Sequence, residues 1–298
     1  MNDAKPTMSG EKPQYMQATG KMPYSLTNDY LFRALLQKNN RVLKHLICAL
    51  LHLQPEKVQT VTIINPIVLG QAIDNKTFIL DVRVLLDNSA VINLEMQIVN
   101  YRNWPERSLS YLCRNFDQLQ KGQDYRETKP VVHIGFLDFT LFPEHPEFYA
   151  TYKMLNVKNH NVFTDKFVLS VVDLDQIRMA TEEDRQWEID YWAALFKATT
   201  WEETKMLAEK NPILEDAVKT LYEMSEEEQI REQCMAREDY YRTINTYEAE
   251  ILDRDQRLEE KDQQLSQKDQ QLSQKDQQIE ELMQEVRRLR EQQNIGDE

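Results

Sequence analysis

The stretch Lys76-Thr-Phe-Ile-Leu-Asp-Val-Arg-Val-Leu-Leu-Asp-Asn-Ser-Ala-Val-Ile-Asn-Leu-Glu-Met-Gln97 decides the fold. Thr77–Leu86 is a dense apolar run interrupted by Asp81 and Arg83. Ala90–Val99 alternates, with Ile92, Leu94, Met96 and Ile98 on one face and Asn93, Glu95 and Gln97 on the other. Asp87-Asn88-Ser89 between them is turn chemistry, so the two runs read as a β-hairpin. If they pair across that turn, residues whose numbers sum to about 176 face each other, and Asp81 lies beside Glu95. Two carboxylates side by side repel. A divalent cation between them removes the conflict, and two carboxylates with a carbonyl and waters suit Mg²⁺, with Mn²⁺ as the alternative. The plainer reading is a solvated polar face on which Asp81 pairs with Arg83 or Lys76.

Outward from the hairpin, the apolar stripe Leu31, Leu35, Val42, Leu46, Ile47, Leu50 and Leu51 predicts a helical segment capped by Thr27, with a break near Asn39-Asn40. Val58–Asn65 reads as a short strand. Pro105 opens a helix that Gly122 closes, and Val131–Leu137 reads as a buried strand. Glu147–Leu155 and Lys166–Val172 are two more strand-like runs. The order α-β-β-β-α-β, with additions, predicts a mixed sheet flanked by helices in one α/β domain. Residues 1–22 are polar and read as a disordered arm. Beyond Asp175 the pattern is helical, and Thr181, Thr200 and Ser225 each begin a capping-box pattern.

Ile244, Ile251, Leu258, Leu265, Leu272, Ile279 and Val286 recur every seven residues, and Gln-Gln-Leu-Ser-Gln-Lys-Asp is repeated within 263–276. This predicts a coiled coil over 241–293 that makes a homo-oligomer, in the first instance a dimer. Its second seam position is Lys261, Lys268 and Lys275, so a solvated single helix is the competing reading. The expected organisation is an arm (1–22), an α/β domain (23–175), a helical extension (176–240) and the coiled coil (241–293).

The chain has 298 residues and a formal charge of −14. Residues 1–150 carry 16 Lys and Arg against 15 Asp and Glu, and residues 151–298 carry 20 against 35. The acidity therefore sits in the helical half, and the α/β half is electrostatically open to DNA. Six scattered glycines exclude the Gly-rich phosphate loops of NTPases, kinases and dinucleotide enzymes. Three separated cysteines exclude a disulfide framework or a cysteine zinc site. No apolar run is long enough to span a bilayer, so a soluble, cytoplasmic protein with no membrane partner is expected.

Asp81 followed by Glu95-Met96-Gln97 resembles the D…(D/E)-x-K signature of PD-(D/E)xK nucleases, with Gln in the Lys position. Asn28-Asp29-Tyr30-Leu31-Phe32-Arg33, Asn65-Pro66-Ile67, Arg107 with Tyr111, Gln118-Leu119-x-x-Gly122-x-x-Tyr125 and Pro130-Val131-Val132-x-Ile134 extend the likeness. Together they resemble the transposase-like group of that superfamily, the Rpn family of recombination-promoting nucleases. The resemblance implies a restriction-endonuclease-like αβββαβ core and Mg²⁺-dependent endonuclease cleavage of DNA linked to recombination or mobile elements. It implies Asp81 and Glu95 as metal ligands, with the carbonyl of Met96 as a third. Gln97 stands where lysine would activate the water, and Lys76 is the candidate source of the missing charge. Asp29 is a candidate outer acid, or else a first-turn carboxylate favoured by the helix dipole. Arg107 and Tyr111 are candidate phosphate contacts, and Gln118 a candidate hydrogen-bonding partner of the site. A nuclease fold kept as an inactive interaction scaffold is the alternative function, and strand transfer a third.

Overall fold

The computed structural model describes residues 13–67, 69, 81–119 and 121–295, with side chains to 288. The chain divides into two compact units, Met1–Asp239 and Tyr240–Glu298. In chain order the first holds α1 (Asp29–Lys38), α2 (Asn40–Leu50), β1 (Val61–Ile63), β2 (Val82–Leu86), β3 (Ala90–Gln97), α3 (Trp104–Phe116), β4 (Val131–Leu137), β5 (Tyr149–Lys153) and β6 (Phe167–Asp173). Then follow α4 (Glu182–Gln186), α5 (Ile189–Lys197), α6 (Trp201–Ala208), α7 (Pro212–Glu226) and α8 (Glu228–Ile295). The expected α-β-β-β-α-β order is present. Residues 77–80 of the expected second strand lie outside the described residues.

The six strands lie in the order β1-β2-β3-β4-β6-β5. The hairpin β2–β3 is antiparallel, β3–β4 and β4–β6 are parallel, and β5 closes the edge antiparallel to β6. Val82 pairs with Leu94, Val84 with Ile92 and Leu86 with Ala90, which is the register expected from the turn. Asp87 and Asn88 have φ of 46° and 53°, and Ser89 N–H donates to the Leu86 carbonyl at 2.9 Å. Two consecutive left-handed residues twist the turn with the strands. The Asp87 carboxylate accepts from the Gln59 and Thr60 amides, at 2.8 and 2.6 Å, and ties the turn to the segment before β1.

Alternation splits the sheet into two faces. Val82, Val84, Ile92, Leu94, Met96, Ile134 and Phe136 pack in the main core with α1, α2, α5 and α7. Phe32, Phe136 and Phe196 meet edge-on at its centre, with centroids 5.2 to 5.4 Å apart. The opposite face carries Asn93, Glu95, Gln97 and His133, and α3 lies over it. Leu112 packs on Val91 and Val131, and Trp104 on Leu137 and Val171. Trp104 sits directly over Gly135, where an added Cβ would come 2.3 Å from the indole. Glycine is required there by the ring.

Several expected boundaries are corrected. Asn28, not Thr27, caps α1, its side chain accepting from Leu31 N–H at 3.2 Å. The break near Asn39-Asn40 is real, with Asn39 capping α2. α3 ends at Phe116, and Gly122 (φ 93°) serves a later turn instead. Thr181 and Thr200 form capping boxes, but Ser225 lies inside α7 and bonds back to the Tyr222 carbonyl at 2.7 Å.

Residues 13–22, assigned to a disordered arm, are packed. Tyr15 is buried and donates to Glu215 at 3.1 Å, and Met22 N–H donates to the Thr199 carbonyl. Position 175 is no packing boundary, because Ile189, Trp192, Phe196 and Leu214 share one core with the sheet. The second unit is described by itself as the helical stretch from Tyr240, with Ile244 half-buried and the heptad residues from Ile251 to Val286 exposed.

Candidate active site

Glu95 and Gln97 stand on β3, on the face toward α3, and Asp81 immediately precedes β2, one step past the Val82–Leu94 pair. Continuing the register sets Asp81 opposite Glu95. Alternation alone left open whether this face is solvated. It is not, because Asp81 is 6% exposed, Glu95 5% and Gln97 7%. The Asp81 Oδ1 and Glu95 Oε2 atoms are buried without a hydrogen-bond partner. Buried carboxylate oxygens without a donor are costly when ionised. Burial accordingly raises the Asp81 pKa, against the opposing pull of Arg83 and Arg33.

The backbone at Asp81 is clamped. Arg33 from α1 donates to the Asp81 carbonyl at 2.5 Å and also to the Asn65 carbonyl. Asn65 donates to the same Asp81 carbonyl at 3.0 Å and accepts from Arg83 N–H at 2.8 Å. Arg33 and Asn65 lie in the family-like segments 28–33 and 65–67, where the sequence alone assigns them no role. Their part is to fix where β2 begins, and so where the Asp81 carboxyl stands.

Around Glu95 the cation comes from α3. Arg107 ion-pairs with Glu95 and donates to Gln97 Oε1 at 2.7 Å, while Gln97 Nε2 donates to the Val99 carbonyl at 2.6 Å. Tyr111, one turn along, lies with its ring centroid 5.7 Å from the Arg107 guanidinium carbon. Arg107 and Tyr111 thus share a face as expected, and in this structure Arg107 is engaged with the carboxylate face of the sheet.

A further residue was missed. His133 on β4, fully buried, lies with Nε2 3.4 Å from Glu95 Oε2, and its Nδ1 is 2.9 Å from Asn93 Nδ2. The Asn93 amide thus engages Nδ1, while Nε2 has no hydrogen-bond partner. Burial lowers the His133 pKa to about 4. Its signal in the sequence was a polar residue inside an apolar strand at 131–137, the same signal that singled out Asp81.

Other expected residues lie elsewhere. Asp29 accepts both bonds of a buried, fork-shaped ion pair with Arg237 of α8, one of them 2.8 Å. Gln118 is exposed and lines a separate cleft of about 350 Å³ with Leu85, Phe116 and Lys129. Lys76 lies outside the described residues.

The sequence matches the family described as PD-(D/E)XK nuclease family transposase over residues 26–250. The chain belongs to that family. The match takes in the six-stranded sheet and the helices through α7, so the mixed α/β core and a nuclease-type function are those of the family. Neither curated proteins nor solved structures give a match.

Nucleases of this kind work with divalent metals, and the residues present suit one. Two buried carboxyl oxygens without donors are hard ligands of the sort Mg²⁺ takes, with water completing its shell. Among the described residues, no group of three or more His, Cys, Asp or Glu side chains is set to hold an ion by itself. Among the same residues, no helix is long and apolar enough to cross a membrane.

Proposed function

We propose that this protein is a metal-dependent DNA endonuclease that hydrolyses phosphodiester bonds in recombination or in the life of mobile elements. The observation that carries the reading is the pair Asp81 and Glu95, in register on a buried sheet face, each with one oxygen that has no hydrogen-bond partner. In this reading they hold Mg²⁺ or Mn²⁺, with the Met96 carbonyl as a third ligand. The ion, when bound, supplies an activated water and offsets charge on the phosphate.

The chain's own residues do the rest. Asp81 and Glu95 set the position of attack, each fixed by a different device. Arg33 and Asn65 lock the backbone at Asp81, and His133 and Arg107 bracket the Glu95 carboxyl. Glutamine at 97 carries no charge, unlike the superfamily's lysine. Arg107 brings a permanent positive charge against the same two side chains, so it fills that gap without Lys76. On substrate binding, Arg107 is the group able to exchange Glu95 for a phosphate oxygen, with Tyr111 supporting its stem. The near-neutral half, residues 1–150, meets DNA while the acidic helices stay off it.

We also infer that the tail assembles the protein into a homo-oligomer. Its heptad residues from Ile251 to Val286 are exposed apolar side chains, and a mate that buries them removes that exposure.

The test is cleavage of supercoiled plasmid by the purified full-length protein with Mg²⁺ or Mn²⁺, beside Asp81→Ala and Glu95→Ala. Nicking is expected from the parent and background from both variants. Equal cleavage by all three proteins, or none by the parent with any divalent ion, refutes the reading.

A further inference from the structure

Between β5 and β6 the chain folds back on itself as a small two-stranded ribbon, residues 154–163. Phe163 N–H donates to the Met154 carbonyl and Asn156 N–H to the Asn161 carbonyl, both at 2.9 Å, and Leu155 bridges Val162. His160, with φ 58°, closes the tip by donating its N–H to the Asn156 carbonyl at 2.8 Å. The side-chain oxygens of Asn156 and Asn159 accept from the Lys158 and Asn161 amides, at 2.9 and 3.0 Å. Their Nδ2 groups remain as donors.

The ribbon exposes apolar side chains. Val157 at the tip is 88% exposed and Phe163 80%, and Met154, Leu155 and Val162 are exposed as well. A patch of this kind marks a docking surface, and its charge identifies the occupant. From Phe148 to Thr164 there is no Asp or Glu, in a chain whose net charge is −14. The cations of that stretch are Lys153 and Lys158, with His160 beside them. Lys153 pairs with Asp165 at 3.0 Å, and Lys158 stands exposed at the tip. Lysine, amide donors and apolar side chains with no acid among them are the set that enters the minor groove of DNA, where the apolar members wedge between base steps. A two-stranded ribbon is also narrow enough for a DNA groove.

Strand pairing sets Asn93, His133, Leu169 and Tyr152 in one row across the sheet, so β5 at Tyr152 shares the face of Glu95. At about 4.8 Å per strand and 3.3 Å per residue, Tyr152 lies roughly 16 Å from Glu95, and the ribbon tip roughly 25–30 Å. One turn of duplex is about 34 Å. A duplex with a phosphate at Asp81 and Glu95 is therefore within reach of the ribbon in less than one turn. We propose that the ribbon 154–163 grips duplex DNA from the minor groove beside the cleaved phosphate. This rests on the DNA-cleavage reading above and adds an element that holds the substrate. Lys158 meets a phosphate, and Asn156 and Asn159 donate to the acceptors on the floor of the groove. Val157 and Phe163 wedge between base steps and bend the duplex.

The experiment uses the full-length chain and a duplex of about three turns, labelled at both ends, with Ca²⁺ in place of Mg²⁺. Anisotropy gives the dissociation constant and its salt dependence, and energy transfer between the ends reports bending. Lys158→Ala should weaken binding several-fold and lower the salt slope by about 1. Val157→Ser/Phe163→Ser should weaken it about tenfold, keep the slope and abolish the bend. All three side chains are exposed, so each variant should keep the Tm of the parent.

Variants that bind and bend the duplex as the parent does overturn the proposal, and plasmid nicking by the parent would then leave the nuclease reading standing. Ribbon-dependent binding without nicking under any divalent ion supports the ribbon and overturns the nuclease reading. A parent that binds no duplex overturns the ribbon. A lower mass by light scattering for Val157→Ser/Phe163→Ser, with DNA binding unchanged, assigns the patch to a second copy of the chain and also overturns it.

Discussion

Replacing Asp29 with asparagine removes a charge from a buried fork and leaves the Arg237 guanidinium facing a neutral amide. The two side chains are 7% and 8% exposed, so water cannot replace the lost carboxylate. Breaking one side of a buried ion pair costs about 3–5 kcal/mol. The first compact unit ends at Asp239, and for a body of that size each kcal/mol lowers Tm by about 2–4 °C. The expected loss is thus roughly 6–20 °C. Thermal unfolding followed by circular dichroism measures it. Arg237→Met should fall by a similar amount, and Asp29→Leu/Arg237→Met should recover most of the loss, because two apolar groups leave no unpaired charge. Plasmid cleavage well below each Tm should be retained. If Asp29→Asn holds its Tm within about 2 °C yet cleaves no DNA, Asp29 acts in the chemistry and the ion pair is incidental.

The neutral His133 predicts a pH dependence. Its pKa in the folded state, about 4, lies below the unfolded value of about 6.5. The unfolded chain therefore takes up the proton first, and the contribution is present above pH 6.5 and lost as pH falls toward 4. The shift corresponds to about 3 kcal/mol, so the stability of the parent relative to His133→Asn should drop by about that much between pH 7 and 4 in urea titrations. Parallel profiles for the two proteins would refute the neutral imidazole. Gly135→Ala drives a methyl into Trp104 and should cost about 1–3 kcal/mol with a change in indole fluorescence, whereas an unchanged emission and Tm would mean that the ring does not rest on the strand.

Much of the sheet was legible in the sequence because its signals are local. β4 spans the expected residues 131–137, and the hairpin register followed from counting across Asp87-Asn88-Ser89. The turn residues set the count, and period-two alternation set the faces. Gly122 and Ser225 misled for one shared reason. A glycine with positive φ serves any left-handed turn, and a Ser-x-x-Glu pattern is equally at home inside a helix, where Ser225 bonds back to Tyr222. The choice depends on which side chains are buried nearby, as Leu221 and Met224 are on α7.

Residue by residue, the sequence alone determined the strand pattern, the carboxylates at 81 and 95, the charge split along the chain and the heptad column of the tail. Each is a matter of residue type and spacing. Only the tertiary structure decided that the polar face of β3 is buried, since α3 had to be laid across it. It brought Arg107 to Gln97, His133 to Glu95 and Arg237 to Asp29. Partners on different elements are joined by parallel crossovers and helix packing, and their pairing leaves no periodicity along the chain. Burial then turns an ordinary carboxylate pair into one that calls for a counter-charge, because charge is costly only where water has been removed.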